Sequence, residues 1–241
     1  MSRFIIIRHA QASIMKANYD QLSDLGKEQS AILGEYLAKR GLQFDKIYRG
    51  DLRRHRETEQ IASEASKKLG YKWDVEIMPA LNEHQGPKVV KWLIARVLEG
   101  DQSPELQGIR DILEPLSKEH PKKQYLAAFE YATLEWAKDA YDTSAIEVED
   151  WRPFRTRIDT AYERIMAASK SGETIGIFTS GGPMGVAIGK ALQLSDAQVM
   201  RLNWIVQNTA ISEFLFSKRG FSLKTFNMTP HLEEERLITL V

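Results

Sequence analysis

The chain contains no cysteine among its 241 residues. Disulfides, thiolate metal sites and cysteine nucleophiles are therefore excluded. No apolar run approaches the ~18 residues that a membrane-spanning helix needs, and we expect no leader before the first apolar segment. We expect a reduced, cytoplasmic setting and no membrane partner.

The chain also lacks a net charge, because 33 Lys and Arg residues balance 33 Asp and Glu residues. No global field draws nucleic acid or an anionic membrane to such a protein. Hydrophobic residues make up 43% of the chain, as in ordinary globular domains. We expect one domain over residues 1–241 and no nucleic acid partner, while a homodimer is compatible with these features.

Short apolar runs alternate with segments of helical period along the chain. Strands are predicted at Phe4–Ile7, Phe44–Tyr48, Val75–Met78 and Thr174–Thr179, and helices at about 24–39, 52–69, 151–169 and 181–192. A terminal hairpin is predicted around residues 218–220. This order predicts an α/β fold with a doubly wound, mostly parallel sheet and helices on both faces.

Residues 85–150 show a different pattern, with helical period and no strand of the main sheet. The segment is rich in Lys, Glu, Trp and Tyr and is punctuated by glycine and proline. We predict that it forms an inserted helical cap within the same domain. Nothing in its sequence names a ligand.

Arg8 and His9 follow the first apolar run. Loops at the carboxyl ends of parallel strands hold the ligand site in open α/β sheets. A neutral histidine can attack phosphorus, and an arginine can pair with two phosphate oxygens in fork geometry. The alternative is an ordinary strand end with a surface arginine and a capping histidine.

A second candidate is the run of cationic or titratable side chains at residues 53–56, at the start of the second helix. A helix N-terminus attracts anions through its free N–H groups and its dipole. Only one or two of these side chains can point into a site. A solvated basic helix face is the alternative interpretation.

Two further loops follow predicted strands. Glu83 could protonate a leaving oxygen, although a lone glutamate can equally be a surface residue. The loop at residues 179–182 could form a phosphate nest of backbone N–H groups. Ser180 does not fit the nucleophile elbow of an α/β-hydrolase, because Phe178 stands where that motif has a glycine.

No metal-binding pattern is evident in the sequence. The histidines other than His9 show no ligand spacing with carboxylates on one helix face; they are His55, His84, His120 and His231. We therefore expect neither a metal nor another cofactor.

Five segments share the order and spacing of the motifs of one family. They are Arg8-His9-Ala10, the helix start at residues 22–29, the segment at residues 50–58, Leu81-Asn82-Glu83, and the late Asn208 with His231-Leu232. Over nearly the whole chain they resemble the histidine phosphatase superfamily, which has the phosphoglycerate mutase-like fold.

The resemblance implies a role for each matching position. His9 would be the phosphorylated nucleophile, and Glu83 would be the proton donor. Phosphate would be bound by Arg8, Arg54, Gln11, Ser180 and Gly181.

Several positions depart from the family pattern. Ser180 stands where the family usually has its second catalytic histidine, and Ala10, Ala12 and Gly50 also differ. A serine can still donate a hydrogen bond to the phosphoryl group, but the loss of charge costs ~1–2 kcal/mol, or roughly tenfold in rate. These departures indicate a variant branch. Ser180→His is expected to raise the rate if the pocket is otherwise conventional.

The sequence leaves three functions open. The first is a phosphatase that hydrolyses a small phosphate monoester through a phosphohistidine on His9, with activity reduced by Ser180. The second is a catalytically silent phosphate-binding or scaffold protein. The third, a mutase-type phosphotransferase, has less support because Met15 replaces the usual asparagine.

Overall fold

The computed structural model describes residues 1–13, 20–114 and 121–240. The strands are β1 (Ser2–Arg8), β2 (Lys46–Arg49), β3 (Val75–Ile77), β4 (Thr174–Thr179), β5 (Ile211–Ser217) and β6 (Gly220–Met228). The helices are α1 (Asp24–Lys39), α2 (Arg53–Lys67), α3 (Gly86–Leu98), α4 (Gln107–Leu113), α5 (Pro121–Trp136), α6 (Trp151–Ala168), α7 (Gly181–Leu192) and α8 (Asp196–Ile205). Met15 and His120 lie outside the described residues.

The strands form one sheet in the order β3-β2-β4-β1-β5-β6. The first four in this order run parallel, and β5 and β6 are antiparallel additions. The predicted α/β class with a mostly parallel sheet is confirmed. Because Arg8 pairs with Thr179 and Arg49 with Phe178, the carboxyl ends of β1, β4 and β2 meet at one edge.

The alternation of side chains along β1 explains why both faces of the sheet are covered. Phe4 and Ile6 belong to a core cluster that contains residues of α6 and α7. Ile5 and Ile7 belong to a second cluster with residues of α1 and α2. The prediction of helices on both faces is therefore confirmed.

The segment between β3 and α6 is helical, and its described residues contribute no strand to the sheet. Its helices α3, α4 and α5 bury apolar residues such as Val90, Ile109 and Trp136. These side chains belong to the same cluster as Phe4 and Ile6. The helices therefore share a core with the sheet, while the number of folding domains stays a prediction.

The first residues of α1 and α8 show how local sequence signals define where a helix begins. Ser23 caps α1, since its Oγ accepts the N–H of Gly26 at 3.0 Å. Helix α8 was not predicted, although Ser195 and Gln198 form a capping box at its start. That serine-to-glutamine spacing was the available signal for α8.

Candidate active site

A cavity of about 230 Å³ opens at the carboxyl edge of the parallel strands. Its lining includes Arg8, His9, Arg54 and Glu83. Arg8 ends β1 and His9 follows it, Arg54 lies in the first turn of α2 after β2, and Glu83 lies in the segment after β3, so three chain segments contribute these four predicted site residues. The strand order brings these segments together, as expected for a doubly wound sheet.

His9 is buried, with 4% of its surface exposed, and its ring orientation is fixed. Its Nδ1 lies 2.8 Å from the carbonyl oxygen of Ala10, so Nδ1 carries the proton and donates it there. The Nε2 lone pair then faces the Arg54 Nε–H at 3.2 Å. Burial, assisted by the charges of Arg54 and Arg8 and by His55, holds the pKa of His9 well below 6.5. His9 is therefore a neutral imidazole with a nucleophilic nitrogen in the cavity.

The backbone of His9 is held from both sides of the sheet edge. Its N–H donates to the carbonyl of Thr179 at 2.8 Å. Its carbonyl accepts from Asn208 Nδ2 at 3.2 Å and from the Thr209 N–H at 3.3 Å. A side chain anchored in this way stays in one geometry, which favours a nucleophile.

Within the basic segment, Arg54 points into the site. It is 6% exposed, and its Nη1 donates to Asp20 Oδ1 at 2.7 Å. Arg53 instead pairs with Glu57, and Arg56 is exposed. Arg8 also reaches the cavity, and its Nη1 donates to the carbonyl of Val206.

Glu83 is held by backbone donors at the cavity wall. Its Oε1 accepts the His84 N–H at 3.0 Å, and its Oε2 accepts the Gly182 N–H at 3.0 Å. A Cβ at Gly182 would lie 2.1 Å from Glu83 Oε1, so a glycine is required there. The carboxyl group is thus fixed where it can exchange a proton with a bound ligand.

The remaining predicted phosphate-binding residues, Ser180, Gly181 and Gln11, are not among the described lining residues of the cavity. Ser180 is fully buried, and its Oγ is 3.5 Å from Arg54 Nη2. Gly181 begins α7, and a Cβ there would lie 2.3 Å from Asn203 Oδ1. Gln11 accepts a hydrogen bond from Ser23 Oγ at 2.8 Å and is absent from the described cavity lining.

The sequence interpretation missed Asp20 and did not distinguish His55 from its basic neighbours. Both lie beside the site, because Asp20 binds Arg54 and the His55 ring centroid is 5.7 Å from that of His9. A signal for His55 exists in the helical spacing of α2. Residues 54, 55, 58, 59 and 62 form one buried stripe, so the face that holds Ala62 also holds His55.

The cavity lining also includes apolar and aromatic side chains. Phe129 and Trp204 meet edge to face, with ring centroids 4.9 Å apart. Leu52, Pro87 and Leu240 are further apolar lining residues. The lining therefore combines charged and polar side chains with these apolar ones. Among the described residues, no group of three or more His, Cys, Asp or Glu could hold a metal ion.

Comparison with known sequences identifies the family of this chain. A sequence model described as "Histidine phosphatase superfamily (branch 1)" matches residues 4–92 and 108–229. The chain belongs to the histidine phosphatase superfamily. The match includes the loops that carry Arg8, His9, Arg54 and Glu83, and it extends over most of the chain.

Individual known proteins show more limited similarity. A 71-residue segment, 27% of this chain, is 38% identical to Broad-specificity phosphatase YOR283W of Saccharomyces cerevisiae and spans 31% of that protein. YhfR of Bacillus stearothermophilus is 17% identical, with a TM-score of 0.65 over 97% of this chain and 100% of that one. A phosphoglycerate mutase from Bacillus anthracis is 18% identical, with a TM-score of 0.64 over 96% and 95% of the two chains. At these identities the solved structures establish the fold.

Among the part of the chain that the structure describes, no helix has the length and apolar character needed to cross a membrane.

Proposed function

We propose that this protein is a phosphatase that hydrolyses a small phosphate monoester through a phosphohistidine on His9. The family and the name of the yeast relative support a phosphatase-type function. The observation that carries the proposal is the neutral, buried His9, whose Nε2 lies in one cavity with Arg8, Arg54 and Glu83.

In the first step, the Nε2 lone pair attacks phosphorus and the bond between phosphorus and the ester oxygen breaks. Glu83, in its protonated form, gives its proton to the departing oxygen, and the alcohol leaves neutral. Arg8 and Arg54 stabilise the charge on the other phosphoryl oxygens as it redistributes. The product is the alcohol and phosphorylated His9.

In the second step, water attacks the phosphorus of phosphohistidine and the P–N bond breaks. The Glu83 carboxylate takes a proton from that water, which restores the acid for the next cycle. Orthophosphate leaves, and His9 returns to its neutral form. Two half-reactions thus use one nucleophile and one carboxyl group.

The apolar part of the cavity lining supports a substrate whose alcohol is apolar or aromatic. Phe129, Trp204 and Leu52 offer this alcohol a surface that excludes water. Burial of apolar area at such a wall stabilises a complex by about 25 cal/mol per Å². An aryl phosphate is therefore a suitable first test substrate.

The test compares the parent protein with His9→Ala in aryl phosphate hydrolysis. We expect the parent to turn over and His9→Ala to fall to background, since the attacking nitrogen is gone. Rapid quenching with labelled substrate should trap acid-labile phosphate on His9. Glu35→Gln, at an exposed position of α1 outside the cavity, is the control and should retain turnover.

Equal rates in the parent and His9→Ala would contradict the proposal. Binding of orthophosphate without turnover of any ester would instead support a silent phosphate-binding protein. Isothermal calorimetry with orthophosphate separates these two outcomes.

A further inference from the structure

His55 has no part in the two steps above, yet it lies against the site. It is fully buried in the first turn of α2. Its Nε2 is 2.6 Å from Ser180 Oγ, although 125 residues separate the two along the chain. A contact this short between a ring nitrogen and a hydroxyl is a strong hydrogen bond.

The loop after β2 leaves space for this imidazole. A Cβ at Gly50 would lie 2.3 Å from His55 Nδ1 and 2.6 Å from Asn82 Oδ1. Any larger residue at position 50 would displace the ring. Gly50 and Ser180 are both departures from the family motifs, and both contact the same side chain. The two departures therefore form a single arrangement around His55.

The surroundings of His55 indicate which nitrogen carries the proton. Burial, with the charges of Arg54 and Arg49, holds the pKa of His55 well below 6.5, so the ring has one proton. Nδ1 is buried and has no hydrogen bond partner among the described residues. A proton there would be a buried donor without an acceptor, which costs about 1–3 kcal/mol. The proton is therefore on Nε2, which donates it to Ser180 Oγ.

The hydrogen bonds of Ser180 then leave one group available. A serine oxygen has two lone pairs and one O–H. One lone pair accepts from His55 Nε2–H, and the other faces Arg54 Nη2 at 3.5 Å. The O–H remains for a ligand. Because Arg54 Nε also lies 3.2 Å from His9 Nε2, this O–H lies one guanidinium group away from the nucleophile.

We propose that His55 is a positioning residue that fixes the Ser180 hydroxyl, so that its O–H donates to an oxygen of the phosphoryl group during transfer to and from His9. His55 thereby acts through Ser180 without touching the substrate. The inference rests on the proposed phosphate chemistry at His9. It adds to that chemistry a donor pair, the His55 Nε2–H and the Ser180 O–H.

A double-mutant cycle tests the link between the two residues. Ser180→Ala should lower kcat about tenfold and raise KM modestly, since the lost O–H donates to a phosphoryl oxygen in the bound ester and more strongly in the transition state. His55→Phe should cause a similar loss, and the double variant should lose no more than Ser180→Ala alone. His55→Gln, which keeps an N–H donor, should recover part of the rate.

Ser2→Ala is the matched control, because Ser2 is a buried serine at the amino end of β1 that donates to the carbonyl of Lys170, away from the site. It should leave kcat unchanged. Losses that multiply in the double variant would overturn the proposal, since His55 would then act independently of Ser180. An unchanged kcat in Ser180→Ala would overturn it as well.

The tautomer of His55 can be measured in the unmodified protein, without turnover and without a variant that might misfold. Long-range ¹H–¹⁵N correlation spectra distinguish imidazoles protonated on Nδ1, on Nε2 or on both. We expect the Nε2–H form at neutral pH. An Nδ1–H form would make His55 the acceptor from Ser180 and would overturn the proposal, as would a charged ring.

A further test moves the imidazole from position 55 in α2 to position 180, directly before α7. Ser180→His alone should lose rate, because the new ring needs the space that His55 fills at 2.6 Å. His55→Ala combined with Ser180→His should regain rate by vacating that space. The structure thus revises the simple expectation for Ser180→His. A rate gain in Ser180→His alone would overturn the proposal.

Orthophosphate binding keeps this inference separable from the hydrolysis itself. If no ester is turned over, ³¹P NMR titration of orthophosphate still reports on the site. Equal and non-additive weakening by Ser180→Ala and His55→Phe would retain the donor pair while the phosphatase proposal fails. Unchanged orthophosphate binding in both variants would remove the donor pair itself.

Discussion

The chemistry proposed for this site depends on individual proton positions. His9 is held neutral by burial and by neighbouring arginines, with its Nδ1–H committed to Ala10. Its Nε2 carries no proton and accepts from Arg54 Nε, so it needs no base to activate it. The proposed mechanism assigns the proton for the leaving oxygen to Glu83, which two backbone N–H groups fix in place.

Glu83→Gln tests, at the residue scale, whether Glu83 donates the proton to the leaving oxygen. We expect kcat to fall by roughly 10²–10⁴ for an alkyl phosphate, the usual contribution of a general acid. The fall should be much smaller for a nitrophenyl phosphate, whose leaving oxygen departs without a proton. The measurement is kcat for phosphate esters with a series of leaving-group pKa values.

Glu35→Gln is the control for that series, since Glu35 is exposed on α1. It should reproduce the dependence of the parent on leaving-group pKa. An equal loss for alkyl and nitrophenyl esters in Glu83→Gln would show that Glu83 does not donate the proton.

At the scale of elements, the site depends on the close approach of α1 and α2. A Cβ at Gly34 would lie 2.2 Å from the carbonyl oxygen of Ala62. Ser66 Oγ donates to the Gly34 carbonyl at 2.8 Å across the same interface. A buried ion pair between Arg49 and Glu59, at 3.3 Å, ties α2 to β2. The position of α2 in turn sets the positions of Arg54 and His55.

Gly34→Ala should therefore destabilise the fold, although alanine favours helices more than glycine does. We expect the free energy of unfolding to fall by roughly 1–3 kcal/mol, the usual cost of overpacking. Urea denaturation followed by circular dichroism measures this change. Glu35→Ala, at the next and exposed position of α1, should stay within about 0.5 kcal/mol of the parent. A more stable Gly34→Ala would show that the helices can separate without cost.

At the scale of the whole molecule, buried histidines make stability depend on pH. Burial lowers the pKa of His9, His55, His84 and His231 below 6.5, and that of His231 to about 4. Below pH 6.5 the unfolded chain then binds more protons than the folded one. Stability is fully present above that pH and is lost as pH falls.

His231→Gln isolates one part of this pH dependence. For a pKa of about 4 in the folded state and 6.5 in the unfolded state, His231 alone removes about 1.4 kcal/mol between pH 7.5 and 5.5. Urea unfolding at both pH values should show a smaller decrease in His231→Gln than in the parent. An identical decrease in the two proteins would contradict the shifted pKa.

Local sequence signals predict the alternation of strands and helices and the residues at the ends of the strands. The apolar run of β1 predicts a buried strand from local periodicity, and Arg8, His9, Arg54 and Glu83 lie in local motifs. Each of these signals spans a few residues, so it can be read without knowing the rest of the fold.

The contacts between the segments that follow β1, β2 and β4 depend on the tertiary structure and could not be predicted from local sequence. Because β4 lies between β2 and β1, the Ser180 loop sits beside both the Gly50 loop and the Arg8 loop. Strand order is a long-range property that periodicity does not encode. The sequence therefore showed Ser180 as a missing histidine, and only the folded chain placed the imidazole of His55 against it.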